Sequence, residues 1–347
     1  MLDYELLRHF RCRMKSNLVL VVLCFMLTAS SVLEAQQSTV YASVLSTKLF
    51  VVGAANPETG LYMQQSSEDT VWHHLGPKTI REFGVAVHAP SRGQLICLAS
   101  GNGVHRTTDG GKTWKITTGW QITEVLSVII DHSDPNIMFC GTPYGVFRTL
   151  DEGSTWTECN NGIKEKFTSS VIIDHTNPRV MYCGTEDGVY KSEDRGESWK
   201  RTGLSVGGVR VVVQSPKDPN ILVAGTDDFG IYITRNGGQY WERTEAGLDH
   251  QTFYAIVFDP SNPQVLYAGG YVTGIYKSTD GGTSWARKNT GLNILNIHSI
   301  AVDPTNSSRV FAGSMWGGVY RSDDSGNTWK QAGLNGSQVW QIIVEPF

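Results

Sequence analysis

Residues 278 to 285 read Ser-Thr-Asp-Gly-Gly-Thr-Ser-Trp, and the same eight-residue box returns along the chain. Its other copies are TTDGGKTW (Thr107 to Trp114), TLDEGSTW (Thr149 to Trp156), SEDRGESW (Ser192 to Trp199), TRNGGQYW (Thr234 to Trp241) and SDDSGNTW (Ser322 to Trp329). From Trp114 onward the intervals between successive tryptophans are 42, 43, 42, 44 and 44 residues. Counting back 42 from Trp114 reaches Trp72 in QSSEDTVW, a seventh copy that keeps the tryptophan but has lost the spacing of Asp and Gly. A fixed period of this length is the mark of a repeat architecture, in which each unit buries its apolar faces against its neighbours.

Each repeat holds four strand-length segments. An alternating run such as Phe253 to Phe258 is followed by a turn, Asp259-Pro260-Ser261-Asn262-Pro263. A short apolar segment comes next, Val265-Leu266-Tyr267-Ala268-Gly269, then Gly274-Ile275-Tyr276-Lys277-Ser278, then the box. No segment sustains a helical period, and turn chemistry separates the segments. In the box, Asp109, Asp151, Asp194, Asn236, Asp280 and Asp324 supply an oxygen that can accept backbone N–H bonds, and a glycine two residues on accepts positive φ. The tryptophans that close the boxes, Trp114, Trp156, Trp199, Trp241, Trp285 and Trp329, are large anchors suited to locking each hairpin on the next unit. The pattern predicts an all-β, seven-bladed β-propeller of four-stranded antiparallel blades. The inner-strand pattern is read eight times, from Val40-Tyr41-Ala42 to Val339 through Val344. The C-terminal copy is therefore expected to close the ring as the innermost strand of the first blade, with the residues near Val40 displaced or loosely attached.

Composition agrees with a folded chain: 347 residues, 40% hydrophobic and 18% charged, with 37 glycines and 10 tryptophans. The formal net charge is −4, and no Lys/Arg cluster stands beyond the N-terminus, which removes the electrostatic basis for a nucleic-acid partner. At the N-terminus Arg8, Arg11, Arg13 and Lys15 precede the apolar run LVLVVLCFML, Leu18 to Leu27, and small residues lead to Ala35. This reads as a secretory signal peptide over residues 1–35, cleaved after Ala35, with residues 1–13 as an upstream extension of the gene reading before Met14. The mature chain, 36–347, is then expected to be secreted or periplasmic, monomeric, and without a membrane span, because the apolar run is too short for one. Four cysteines remain in it; Cys140 and Cys183 stand at the small position held elsewhere by Ala224, Ala268 and Ala312, and are expected to be buried and free.

The box S/T-x-D-x-G-x-T-W resembles the Asp-box, or BNR repeat, of sialidases, sortilin-type receptors, xyloglucanases and photosystem II assembly-factor propellers. The resemblance covers residues 40 to 347, and the Asp-Pro-x-Asn-Pro turn with its A-G-T segment is most similar to the xyloglucanase and sortilin style. It implies a propeller in enzymes and non-enzymes alike. Sialidases carry an arginine trio and an F-R-I-P motif, whereas the nearest string here, Phe147-Arg148-Thr149-Leu150, fills the Tyr-Lys-Ser place of its own repeat. Xyloglucanases set carboxylates on two facing propellers, and this chain has room for one.

Short motifs are absorbed by the repeat. Gly203-Leu204-Ser205-Val206-Gly207 fits a nucleophile elbow but aligns with the post-box loops at Gly247-Leu248 and Gly291-Leu292. Gly111-Lys112-Thr113 ends like a phosphate-binding loop, but Arg106 stands where its first glycine belongs, so no nucleotide or other cofactor is expected. His73-His74 lacks accompanying metal-ligand spacing, and no metal is expected. The loops between second and third strands lie opposite the Asp-boxes and offer a ligand-binding rim: Glu58, Asn102, Tyr144, Glu186, Asp187, Asp227, Asp228, Phe229, Tyr271 and Trp316. Aromatic faces with acidic acceptors suit sugars or basic peptide segments. Asp187, Asp227 and Asp228 are the candidates for general acid and base if the rim is catalytic, since glycoside hydrolysis needs two carboxyls. Three readings follow: an exported non-catalytic scaffold binding protein or glycan, a glycoside hydrolase of the Asp-box group, and an assembly factor for a membrane complex.

Overall fold

The computed structural model describes residues 37–47, 59–78, 80–244, 246–248 and 251–347. The expected signal peptide, residues 1–35, and Glu58 lie outside the described residues. Residues Ser38–Phe347 form one unit of seven four-stranded antiparallel sheets. In chain order the inner strands of the second to seventh sheets are Glu82–Val87, Ser127–Ile130, Thr168–Ile173, Val209–Gln214, Phe253–Phe258 and Ile297–Val302. Each is followed outward by two five-residue strands, or a five- and a four-residue pair in the fifth blade, and a short outer strand. The only helical turn among the described residues is a 3-10 turn at Ala89–Ser91.

Ring closure differs in one respect from the sequence expectation. The C-terminal strand Ser337–Pro346 is the inner strand of the first blade, as expected, but Ser38–Thr47 is neither displaced nor loose. It is the second strand of that blade, paired on one side with the C-terminal strand and on the other with Gly60–Gln64. Val40, Ala42 and Val44 are completely buried. The register shows why: Ala42 faces Ile342 as Ala312 faces Ile300 in the seventh blade. Val40-Tyr41-Ala42-Ser43 is thus a copy of Val310-Phe311-Ala312-Gly313, a second-strand sequence whose alternation resembles that of an inner strand. Closing the first blade with the C-terminal strand leaves no exposed inner edge.

The second strands explain the A-G-T signature. A strand covered on both faces by neighbouring blades needs apolar residues throughout, and Met138–Thr142, Met181–Thr185 and Leu222–Thr226 are buried at every position. At the glycine of this segment the adjacent blade comes very close. A Cβ on Gly184 would stand 2.7 Å from Val209 Cγ1, and one on Gly313 would stand 2.7 Å from Val339 Cγ1. Interblade clusters follow, such as Phe139, Val146, Val171, Cys183, Tyr190 and Trp199 across the third and fourth blades. Cys97, Cys140, Cys159 and Cys183 are all buried and free. Burial pushes the Cys97 thiol up to about 12, so it has no thiolate character at neutral pH.

Candidate functional site

The face opposite the Asp-boxes is built by a repeated irregularity. Near the start of six inner strands the pairing slips by one residue, so that Phe83, Ser169, Arg210, Tyr254, His298 and Trp340 are each left unpaired between two ladder positions. Leu126 holds the same place in the third blade, directly before the pair of Ser127 with Gly141. A bulge turns a side chain away from the regular pleat. Here the six bulged residues and Leu126, one per blade, converge on the axis. Together with Phe167 they line a cavity of about 320 Å³ at the channel mouth, and the same seven residues also line the upper end of the channel of about 450 Å³.

Half of this ring is aromatic. Tyr254 and His298 stack with centroids 4.5 Å apart and planes 8° from parallel. The other side of His298 meets Trp340 at 4.5 Å, and Trp340 receives Phe83 edge-on at 5.7 Å. Tyr271 extends the row outward, edge-on to Tyr254 at 6.4 Å. Burial lowers the His298 pKa to about 4, so the imidazole in this row is neutral at pH 7. The remaining arc holds one charged group. Arg210 lies over the Phe167 ring at 5.7 Å, donates through Nε at 2.7 Å and also through Nη2 to Asp227 Oδ2, and through Nη1 to Glu186 Oε1 at 2.9 Å. The guanidinium is therefore occupied on both sides.

Antiparallel pairing sets the start of each inner strand beside the end of the second strand, so the bulge ring and the second-to-third-strand loops share one face. Tyr144, Phe229, Tyr271 and Trp316 are 54%, 48%, 47% and 36% exposed there. The other rim residues are tied down. Asn102 accepts from Ser100 Oγ at 2.8 Å and lies 3.0 Å from His105 Nε2. Asp187 accepts from Thr185 Oγ1 at 2.9 Å and Tyr190 Oη at 3.0 Å, within its own hairpin. Asp227 is held by Arg210, and Asp228 accepts from Thr252 Oγ1 at 3.2 Å. Asp227 and Asp228 thus stand together by Arg210 and Glu186, while Asp187 belongs to the turn of the preceding blade.

Reading the loops missed the bulge ring itself, and Trp120, which at 85% is the most exposed large apolar side chain described. Trp120 lies in the connection from the second blade to the third. The signal for the ring was present as a column: Phe83, Leu126, Ser169, Arg210, Tyr254, His298 and Trp340 recur every 41 to 44 residues. It differs in chemistry from blade to blade, unlike the uniformly apolar column two residues further on, Val85, Val128, Val171, Val212, Ile256, Ile300 and Ile342.

The opposite face carries the boxes. In each intact copy the first Ser/Thr donates to the Asp or Asn side chain and accepts from the glycine N–H, as in Ser278 Oγ to Asp280 Oδ1 at 2.8 Å and Gly282 N to Ser278 Oγ at 2.9 Å. Asp280 also accepts from Ser284 N at 2.9 Å and Ser284 Oγ at 2.5 Å. These bonds hold its carboxyl down to about 2. All the box tryptophans except Trp156 bond the preceding blade through the indole, as in Trp199 Nε1 to Cys159 O at 2.9 Å, Trp329 Nε1 to Lys288 O at 2.8 Å, and Trp72 Nε1 to Ala332 O at 2.7 Å.

His73–His74 is the outer strand of the first blade, with His74 Nε2 2.7 Å from Thr59 O. Among the described residues no group of three or more His, Cys, Asp or Glu side chains is arranged to hold a metal ion, and no helix is long and apolar enough to cross a membrane. Gly203 to Gly207 lies in the connection between Lys200–Arg201 and Val209–Gln214, without the helix an elbow requires.

The family model described as photosynthesis system II assembly factor YCF48 matches residues 65–339. The chain belongs to this family. Among the four kinds of propeller its repeats resemble, the assembly-factor kind is thus the one shown, although the turns are most similar to the xyloglucanase and sortilin style. No curated protein matches. Among solved structures, the GH74 enzyme of Niastella koreensis superposes with a TM-score of 0.68 at 19% identity, over 87% of this chain and 55% of that one. The GH74 xyloglucanase from Xanthomonas campestris gives 0.66 at 18% identity, over 85% and 55%. A structure described as YCF48 bound to D1 peptide gives 0.57 at 19% identity, over 74% and 83%. The chain spans about half the length of these GH74 enzymes. At such identities the likeness shows the fold alone.

Proposed function

We propose that this YCF48-family propeller is an exported, non-catalytic scaffold that binds a segment of a protein partner on the face opposite its Asp-boxes. The observation that carries this reading is the open channel mouth with its aromatic row, surrounded by five exposed aromatics on the same face, Trp120, Tyr144, Phe229, Tyr271 and Trp316. Aromatic anchors on a rigid scaffold supply contact area at small entropic cost, which suits recognition of an extended segment. The family is described as an assembly factor, and the D1-peptide complex of the similar structure supports the same class of task here. Export rests on the N-terminal signal over residues 1–35 and places the partner in or beyond the cell envelope.

A non-catalytic role is favoured by the engagement of each suspect carboxylate: Asp227 is paired with Arg210, Asp187 is held by the strand hydroxyls of Thr185 and Tyr190, and Asp228 by the hydroxyl of Thr252. The test is selection of peptides from a random library on the purified protein, run beside an array of glycans and an assay for released reducing sugar and sialic acid. Enrichment of peptides without sugar release is expected. Sugar release that disappears in Asp227→Asn or Asp228→Asn would make the protein a hydrolase.

A further inference from the structure

Resting on that peptide-binding reading, we propose that the channel mouth accepts one uncharged aromatic side chain of the bound segment, inserted along the propeller axis between the six bulged residues and Leu126. Size comes first. The mouth holds about 320 Å³, whereas a cavity of about 150 Å³ takes up a benzene. The volume is ample for one ring with its stem.

The walls match a ring in kind. Phe83, Leu126, Phe167, Tyr254 and Trp340 are half-buried and turn apolar faces and edges to the cavity. Aromatic pairs prefer stacked or edge-on contacts with centroids about 4.5–7 Å apart, the spacing these side chains already keep among themselves. A further ring extends the row from Tyr254 through His298 and Trp340 without disturbing it.

Charge complementarity decides between an aromatic side chain and a charged one. Among the described residues Arg210 is the only ionic group in the cavity lining, and Asp227 and Glu186 occupy its guanidinium. An incoming carboxylate would have to displace an internal partner. An incoming ammonium or guanidinium would enter beside Arg210, and the lining of the mouth offers it no carboxylate. Burial keeps His298 neutral, so it offers no counter-charge. Ser169 Oγ donates to Val209 O at 2.6 Å, which leaves its oxygen to accept a bond from a phenol or an indole.

The experiment uses peptides selected on the purified protein, and two variants that fill the mouth by adding side-chain volume, Ser169→Phe and Leu126→Trp, each checked by thermal melting. The expected result is that selected peptides share one Phe, Tyr or Trp whose replacement by Ala weakens binding at least tenfold. Both variants should weaken the parent peptide at least tenfold and leave the Ala-replaced peptide unaffected, as a double-mutant cycle requires of a direct contact. Where one variant fails to fold, the other decides. Tight binding by a peptide without an aromatic residue, or unchanged binding to a folded variant, would overturn this inference and leave the peptide-binding reading standing. A library that yields no binder would overturn both.

Discussion

The imidazole of His298 lies flat on the phenol ring of Tyr254, with centroids 4.5 Å apart and planes 8° from parallel. Each of the two is the bulged residue of its own inner strand, in adjacent blades, so the stack is a product of the pairing slips at Phe253/Ala255 and Ile297/Ser299. With Trp340 on its other side, His298 is 7% exposed, and its pKa falls to about 4.

That depressed pKa has a definite sign. Between about pH 6.5 and 4 the unfolded chain binds a proton that the folded imidazole refuses, so stability is lost as the pH falls through this window. Replacing His298 with Phe keeps a ring in the stack and removes the proton. The melting temperature of His298→Phe is expected to fall less than that of the parent between pH 7.5 and 4.5, with thermal melts at the two pH values as the check.

Glu345, near the end of the closing strand, behaves in the opposite sense. Burial raises its carboxyl to about 7, so the folded state holds a proton that the unfolded state releases above about pH 4.5. Stability then declines as the pH rises from about 4.5 to 7, and the deficit stays constant beyond. Glu345→Gln should be neutral at pH 4 and stabilising at pH 8, by about 1–2 kcal/mol after discounting for solvent screening. Denaturant titrations at both values measure this.

A second buried acid sits between the first two blades. Glu82 is fully buried, neither oxygen has a hydrogen-bond partner among the described residues, and burial raises its pKa well above the carboxylate range. Val209, Phe253, Ile297 and Val339 hold the same ladder position in other blades. Because an unsatisfied buried polar group costs about 1–3 kcal/mol, Glu82→Val is expected to stabilise the fold by a similar amount. A lower urea midpoint for the variant would contradict this account.

Ring closure can be tested by truncation. Val339 and Ile342 are 1% and 3% exposed and pack with Val40, Ala42 and Phe311. Burying such side chains contributes roughly 1.5–3 kcal/mol each. Removing residues 339–347 should therefore lower the melting temperature by on the order of 10 °C or abolish cooperative unfolding. A truncated chain that melts as the parent does would show that the C-terminal strand does not close the ring.

The boxes tolerate an amide but not an alanine. Asn236 makes the Thr234 and Tyr240 contacts in the fifth blade, at 2.9 and 3.0 Å, that Asp280 makes with Ser278 and Ser284 in the sixth. Asp280→Asn is expected to be nearly neutral, whereas Asp280→Ala should cost about 1–2 kcal/mol, as urea unfolding would report.

The repeat, the blade number and the tryptophan locks were legible because they rest on local chemistry recurring at fixed spacing. Trp329 and Gly326 declare their turn without reference to any other blade. Ser38–Thr47 was harder to place: second and inner strands are both short, largely apolar runs, and what separates them is the glycine or small residue where the next blade approaches, as at Gly313. The bulge ring was not legible from alternation at all. A bulge shifts the pleat by one residue, so Arg210 and His298 read as ordinary positions until pairing fixes which residue is left out. The acids were visible as acids, but Arg210, which ties Asp227 to Glu186, lies 17 and 24 residues away from them.

The central claim is that a partner segment lies across the channel mouth, and hydrogen exchange with and without a selected peptide tests it most directly. Protection is expected at the starts of the inner strands, around residues 209–211, 253–255, 297–299 and 339–341, and at the loops 226–230 and 270–274. Protection confined to the Asp-box turns, such as 278–285 and 322–329, would place the partner on the other face and contradict the account.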